Sequence, residues 1–153
     1  AVAARDGGGR TMRITEVLRR KGGTVLTIAP ESSVRDLLAI LGEHRVGALV
    51  VSADGSRIDG IVSERDVVRR LHSDGDGILD GTVAGIMTAD VHTCGPDATV
   101  DELMAVMTER RFRHIPVVVD GRLSGIVSIG DVVKHRLAEL QDERDQLTSY
   151  IQG

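Results

Sequence analysis

Two stretches of the chain place a hydroxyl three residues ahead of a carboxylate: Ser63-Glu64-Arg65-Asp66 and Ser128-Ile129-Gly130-Asp131. Each follows Gly-Ile-Val and precedes Val-Val, so a short apolar run leads into a helix-like pattern both times. Two chemistries fit this spacing. In the simpler one, Ser-x-x-Asp at a helix start is close to a capping box: the hydroxyl accepts from the N3 amide and the acid reaches back. Such a cap contributes about 1 kcal/mol. In the other, the free amides and positive dipole end of the helix seat a phosphate. The serine then touches that phosphate, and the aspartate, which would repel phosphate, accepts hydrogen bonds from a ribose diol. Gly60 and Gly125 lie inside the preceding strands, where glycine often marks a close backbone approach.

The elements that must position these loops are also written twice. Shifted by 66 residues, 24–51 falls on 90–117, with Val25, Thr27, Pro30, Val34, Leu37, Ala39, Glu43, Arg45 and Val51 meeting identical residues. Shifted by 65, "RIDGIVSERDVV" (57–68) meets "RLSGIVSIGDVV" (122–133) with eight identities in twelve positions. The offset changes around "SADGS" and "VDG", a turn, where insertions are tolerated. Val34, Leu37, Leu38 and Leu41 repeat at helical spacing, as do Val100, Leu103, Met104 and Met107. Ser33 and Thr99 stand at N-cap positions. "GALVVS" and "HIPVVV" are β-rich runs closed by Asp54-Gly55 and Asp120-Gly121, with "RIDGIV" and "RLSGIV" as return strands. Each copy therefore reads strand, helix, strand, strand, helix, a β-α-β-β-α unit.

Composition narrows the function classes. The 153 residues are 41% hydrophobic and 27% charged, with Phe112 and Tyr150 the only aromatics. Single-strand nucleic-acid binding relies on aromatic stacking, and a net charge of −4 offers no general attraction to phosphate backbones. Nucleic acid is not an expected partner. Cys94 is the single cysteine, which excludes an intrachain disulfide and a thiolate zinc cage. No apolar run approaches the roughly 18 residues of a membrane span, so no membrane role is expected and a cytoplasmic setting fits best. The five histidines show no metal-binding pattern, and His92 with Cys94 on one strand face lacks a further ligand. The Gly-rich stretches lack the lysine and hydroxyl of a P-loop.

The doubled Gly-hydrophobic-x-Ser-x-x-Asp ending, the "RHIPVV" strand and the duplicated unit resemble a tandem CBS domain pair (a Bateman module), of the stand-alone bacterial kind. The resemblance covers about residues 12 to 140. It implies an α/β (α+β) sandwich of two pseudo-symmetric units packed through their sheets. The organisation expected is a disordered leader at 1–11, one unit at 12–75, a second with its linker at 76–140, and a helical tail at 141–153. The resemblance further implies an adenosyl nucleotide in the cleft between the repeats: AMP foremost, with ADP, ATP, NAD or S-adenosylmethionine also within the family's range. No cofactor beyond that ligand is implied.

Carried over by residue, Asp66 and Asp131 would bind ribose hydroxyls, and Ser63 and Ser128 would contact phosphate. Val25, Thr27 and Ile28 would edge the base in one half, and Val91 and Thr93 in the other. Gly47, Ala48 and Leu49, and Arg113, His114, Ile115 and Pro116, would close the pockets. Ser in place of Thr in both loops is a mild departure from the family pattern. Arg65 stands where the second loop has Gly130, and Gly47-Ala48 where the second copy has Arg113-His114. Arg65, Arg113 and His114 are the phosphate candidates, set against the commoner fate of arginine as a solvated charge.

A non-enzymatic nucleotide sensor, homodimeric and signalling to an unidentified effector protein, is the expected function. The alternative is a docking module whose pockets are vestigial and whose Ser-Asp pairs are only caps. An enzyme is the third reading: similar modules sit inside IMP dehydrogenase, but this chain has no room for a catalytic barrel of about 250 residues. Val133, Leu137, Leu140, Arg144, Leu147 and Ile151 advance by alternating fours and threes, a heptad seam broken by Arg144. That seam suits either a helix lying on its own domain or a dimer contact.

Overall fold

A computed structural model describes residues 12–22 and 25–152; the expected leader at 1–11 lies outside them. The elements run α1 (Ile14–Lys21), β1 (Thr27–Ile28), α2 (Val34–His44), β2 (Ala48–Val51), β3 (Gly60–Ser63), α3 (Glu64–Asp74), two 3-10 turns (Asp76–Asp80 and Val83–Gly85), α4 (Val100–Arg110), β4 (His114–Val119), β5 (Arg122–Ser128) and α5 (Ile129–Gln152). This is the mixed α/β architecture expected of two repeats. They form two compact units: residues 25–93 with 116–126, and residues 12–22 with 94–115 and 127–152.

In the first unit β2 is the central strand, parallel to β1 and antiparallel to β3. All four of its residues are buried, as a strand covered on both faces requires. Val34, Leu37 and Leu41 of α2 and Val67 of α3 pack with Ile28, Leu49, Val51 and Val62 into one core. Leu38, expected on that face, is instead 39% exposed, because it stands one position off the buried stripe. The linker closes this core: Val83 and Ile86 enter it, and the Val83 and Ala84 N–H groups donate to the Ser32 and Pro30 carbonyls at 2.8 and 2.9 Å. Further along, Ile61 and Thr88 exchange both main-chain hydrogen bonds at 2.9 Å, extending the edge of β3.

That contact explains Gly60. A Cβ there would meet Met87 Sδ at 2.7 Å and the Thr88 carbonyl oxygen at 2.8 Å. The close approach marked by this glycine is thus made by the linker.

In the second unit α4 buries Val100, Leu103 and Met107, and α5 buries Val132 and His135. Arg136 joins the two helices, 3.5 Å from Asp101 and 3.1 Å from Glu139. Ser33 and Thr99 cap α2 and α4 as expected, accepting from the Asp36 and Glu102 amides at 3.1 and 3.2 Å. The repeat extends to the backbone: both helices end at an arginine in the left-handed region, Arg45 (φ 54°) and Arg111 (φ 60°). The β4–β5 turn has Asp120 and Gly121 both at positive φ (53° and 77°), as a two-residue hairpin of this handedness demands.

One expected strand is reduced to a single bridge residue, Cys94. Residues 91–93 carry no strand, although Val91 and Thr93 match Val25 and Thr27. The apolar residues between are the difference. Ile28 is buried in the first core and Leu26 packs against it, whereas their counterparts are Cys94 and His92. Without that apolar burial, a two-residue strand ahead of Gly95-Pro96 has little to hold it.

Helix α1 was not among the expected elements. Its signal is Ile14, Val17 and Leu18 at i, i+3, i+4, and Ile14 and Val17 are fully buried. The Val100 N–H donates to the Met12 carbonyl at 2.9 Å, the Ile14 N–H to that of Ala98 at 2.8 Å, and the Met12 N–H to Glu139 Oε1 at 3.0 Å.

Candidate functional site

The first loop is assembled by strand register. β3 runs beside β2 with Ser63 opposite Ala48, and β1 lies on the other side with Thr27 opposite Val50. The chain then turns into α3, where the Glu64 N–H donates to the Gly47 carbonyl at 3.0 Å. Gly47, Ala48, Ser63 and Asp66 are thereby brought together. Ser63 is extended (φ −129°, ψ 164°) and caps α3.

The Asp66 N–H reaches Ser63 Oγ at 3.2 Å, while Asp66 Oδ2 accepts from the Ser63 N–H at 2.8 Å and from its hydroxyl at 3.1 Å. The capping box read from the sequence is present and complete. Asp66 Oδ1 takes part in none of these bonds.

The second loop repeats this at the head of α5. The Ile129 N–H donates to the Arg113 carbonyl at 2.8 Å, in the role of Glu64 and Gly47. The Asp131 N–H donates to Ser128 Oγ at 3.1 Å, and the Ser128 N–H to Asp131 Oδ2 at 2.9 Å. One partner has no parallel: Lys21 Nζ lies 2.8 Å from Asp131 Oδ2. Burial pushes the Asp131 carboxyl up, but the Lys21 ammonium and the Ser128 N–H outweigh it and hold it below the ordinary carboxylate value.

The other expected site residues divide by burial. Ile28, Ala48, Leu49, Ile115 and Pro116 are buried, so they offer a ligand chiefly their backbone. Val25, Thr27, Gly47 and His114 are half-buried at the strand ends, as is Val91 in its loop, whereas Thr93 is exposed. Arg65 and Arg113 are exposed. Lys21 is the residue sequence reasoning missed. It stands 110 positions from Asp131, in a helix whose own signal went unread.

Among the described residues no cluster of His, Cys, Asp and Glu could hold a metal ion, and no helix is long and apolar enough to cross a membrane. Burial, and then the Glu102 carboxylate, push the Cys94 thiol up to about 11, so it is not an activated nucleophile.

Comparison with known proteins agrees with the duplication. The CBS domain model matches residues 14–73 and again 83–138. The chain is 36% identical over 156 residues to the mitochondrial CBS domain-containing protein CBSX3 of Arabidopsis thaliana, covering 97% of this chain and 76% of that protein. The crystal structure of the CBS-domain containing protein ATU1752 from Agrobacterium tumefaciens is similar at a TM-score of 0.78 and 44% identity, over 82% of this chain and 99% of that one. The CBS domain pair of protein MJ0100, solved in complex with 5′-methylthioadenosine and S-adenosyl-L-methionine, shares the fold at a TM-score of 0.73 and 24% identity, over 84% of this chain and 98% of that one. With two matches to the family, each ending just past a Ser-Asp loop, the chain belongs to the CBS domain proteins as a tandem pair.

Proposed function

We propose that this CBS pair is a cytoplasmic regulatory module that binds an adenosyl nucleotide, AMP foremost, with NAD or ATP as alternatives, and signals its level to an effector protein. The observation that carries this reading is the Oδ1 of Asp66 and Asp131, which no bond among the described residues uses and which a duplicated cap holds beside a helix N-terminus. A carboxylate fixed there accepts a ribose diol through its open oxygen. The Ser63 hydroxyl, now turned to Asp66 Oδ2, need rotate only about one bond to donate to a phosphate. The Arg65 N–H, which neither the Gly47 nor the Ser63 bond uses, adds a donor at the positive end of α3. Arg65, Arg113 and His114 supply positive charge or donors for the phosphate, and the strand-end residues from Val25, Thr27 and Gly47 to Val91 and Thr93 border the base. The adenosyl compounds bound to the MJ0100 pair support the ligand class.

The module acts as a homodimer in this reading, and α5 is the surface that favours it. Val133, Leu137, Leu140, Leu147 and Ile151 are all exposed, so the heptad seam is not spent on the chain's own core; Val132 and His135, one step around the helix, are. A docking module without a ligand is the second reading, favoured by the completeness of the capping boxes, which pair each serine and aspartate within its own loop.

Thermal-shift titration with AMP, ADP, ATP, NAD and S-adenosylmethionine separates the two. A ligand at 100 times its dissociation constant stabilises by about 2.7 kcal/mol, roughly 5–10 °C for a chain of this size. The expected result is a shift with at least one nucleotide that Asp66→Ala or Asp131→Ala removes. Nucleotide-stripped protein that shifts with none of the five contradicts the sensor reading.

A further inference from the structure

The two loops carry the same cap, yet their carboxylates are not equally available. Among the described residues Asp66 is bonded only within its own loop, and one of its two donors is the Ser63 hydroxyl. At Asp131 the same oxygen also meets the Lys21 ammonium, a charge-assisted contact at 2.8 Å. Lys21 is the last residue of α1, which is pinned at its other end by the buried Ile14 and Val17, by the main-chain bond from Ile14 to Ala98 and, just ahead of it, by that from Val100 to Met12. The ammonium is therefore delivered by a fixed helix onto the acid that a ribose would need. The pair is partly shielded, with side chains 38% and 22% exposed for Lys21 and Asp131.

Resting on the nucleotide reading above, we propose that Lys21 is a built-in competitor for the charge of the second half-site's carboxylate. Its ammonium holds Asp131 Oδ2 and draws on the negative charge with which the neighbouring Oδ1 would accept a ribose diol, so this half-site binds adenosyl nucleotides more weakly than the one at Asp66. For a partly exposed ion pair the competition amounts to roughly fivefold in affinity.

Isothermal titration of the full chain with AMP tests this in an Asp66→Asn background, where only the second half-site retains its carboxylate. Adding Lys21→Met should tighten AMP about fivefold, and Lys21→Arg, which keeps the charge, should not. Unchanged or weaker binding with Lys21→Met overturns the proposal. If AMP binding responds to Asp66 and Asp131 substitutions but not to Lys21, the nucleotide reading stands and the competitor falls. If no variant binds AMP, both fall. NMR titration of the Asp131 carboxyl supplies a readout free of nucleotide: Lys21→Met should move its midpoint upward, and an unmoved midpoint also overturns the proposal.

Discussion

The loop at Ser63–Asp66 and the loop at Ser128–Asp131 are alike in every bond that starts a helix and unlike in almost everything that surrounds it. Both hold the reciprocal Ser-Asp cap, and both tie the first helical N–H to a carbonyl of the second-strand segment, Gly47 in one and Arg113 in the other. Around these constants, Arg65 stands where the second loop has Gly130, Asp131 has Lys21 while no ion pair involves Asp66 among the described residues, and α3 stops at 11 residues where α5 runs for 24. Caps and register, which the fold needs, are duplicated; charges, which a ligand or partner would read, have diverged. A regulatory pair benefits from that division, because a ligand shifts an equilibrium only through unequal interaction with its states.

The largest way to break the comparison is at Gly60. Alanine there drives a methyl into Met87 Sδ and the Thr88 carbonyl, and the backbone contact cannot yield as a side chain would. We expect a loss of about 1–3 kcal/mol, read as a fall in Tm of roughly 2–4 °C per kcal/mol at this size. Unchanged stability would show that the linker at Met87 and Thr88 does not lie against β3 in solution.

The caps sharpen the likeness. Ser63→Ala and Ser128→Ala should each cost about 1 kcal/mol, with the two losses matched in urea unfolding. A loss confined to one copy would mean that only one of the two caps forms in solution.

The smallest expected effect concerns pH and separates the two helices. At the position of His135, α3 carries Arg70, exposed and bonded to Asp74 and to the Gly85 carbonyl. His135 is buried; burial, and then Arg20 and Lys134, lower its pKa below the ordinary value. A histidine held neutral in the folded state contributes stability above its unfolded pKa, about 6.5, and loses that contribution as pH falls through the folded value. Stability should therefore begin to decline below about pH 6.5, and His135→Gln should flatten that slope. A slope unaffected by the substitution would assign the decline to other groups.

Much of this was legible in the sequence, and for local reasons. The caps at Ser33 and Thr99, the Asp120-Gly121 hairpin and the Ser-Asp loops depend on residues within a few positions of one another, so their signals lie in short stretches. What stayed hidden depends on distant partners. Gly60 signals a close backbone approach, but what approaches is not legible locally, because the linker residues that touch it lie 27 and 28 positions ahead, in a stretch with no strand pattern. Val91 and Thr93 carried the identities of a strand without the flanking apolar residues that bury one. Helix α1 is short and ends in three basic residues, which masked Ile14 and Val17, and with them the path from Lys21 to Asp131.

In the proposed function the Oδ1 oxygens of the two aspartates accept a ribose diol. A crystal structure of the protein grown with AMP tests it most directly. The expected result is a ribose diol within hydrogen-bond distance of Asp66 Oδ1, with the phosphate at Ser63 and the start of α3. AMP bound away from both aspartates, or both loops unchanged and empty at saturating AMP, would contradict it.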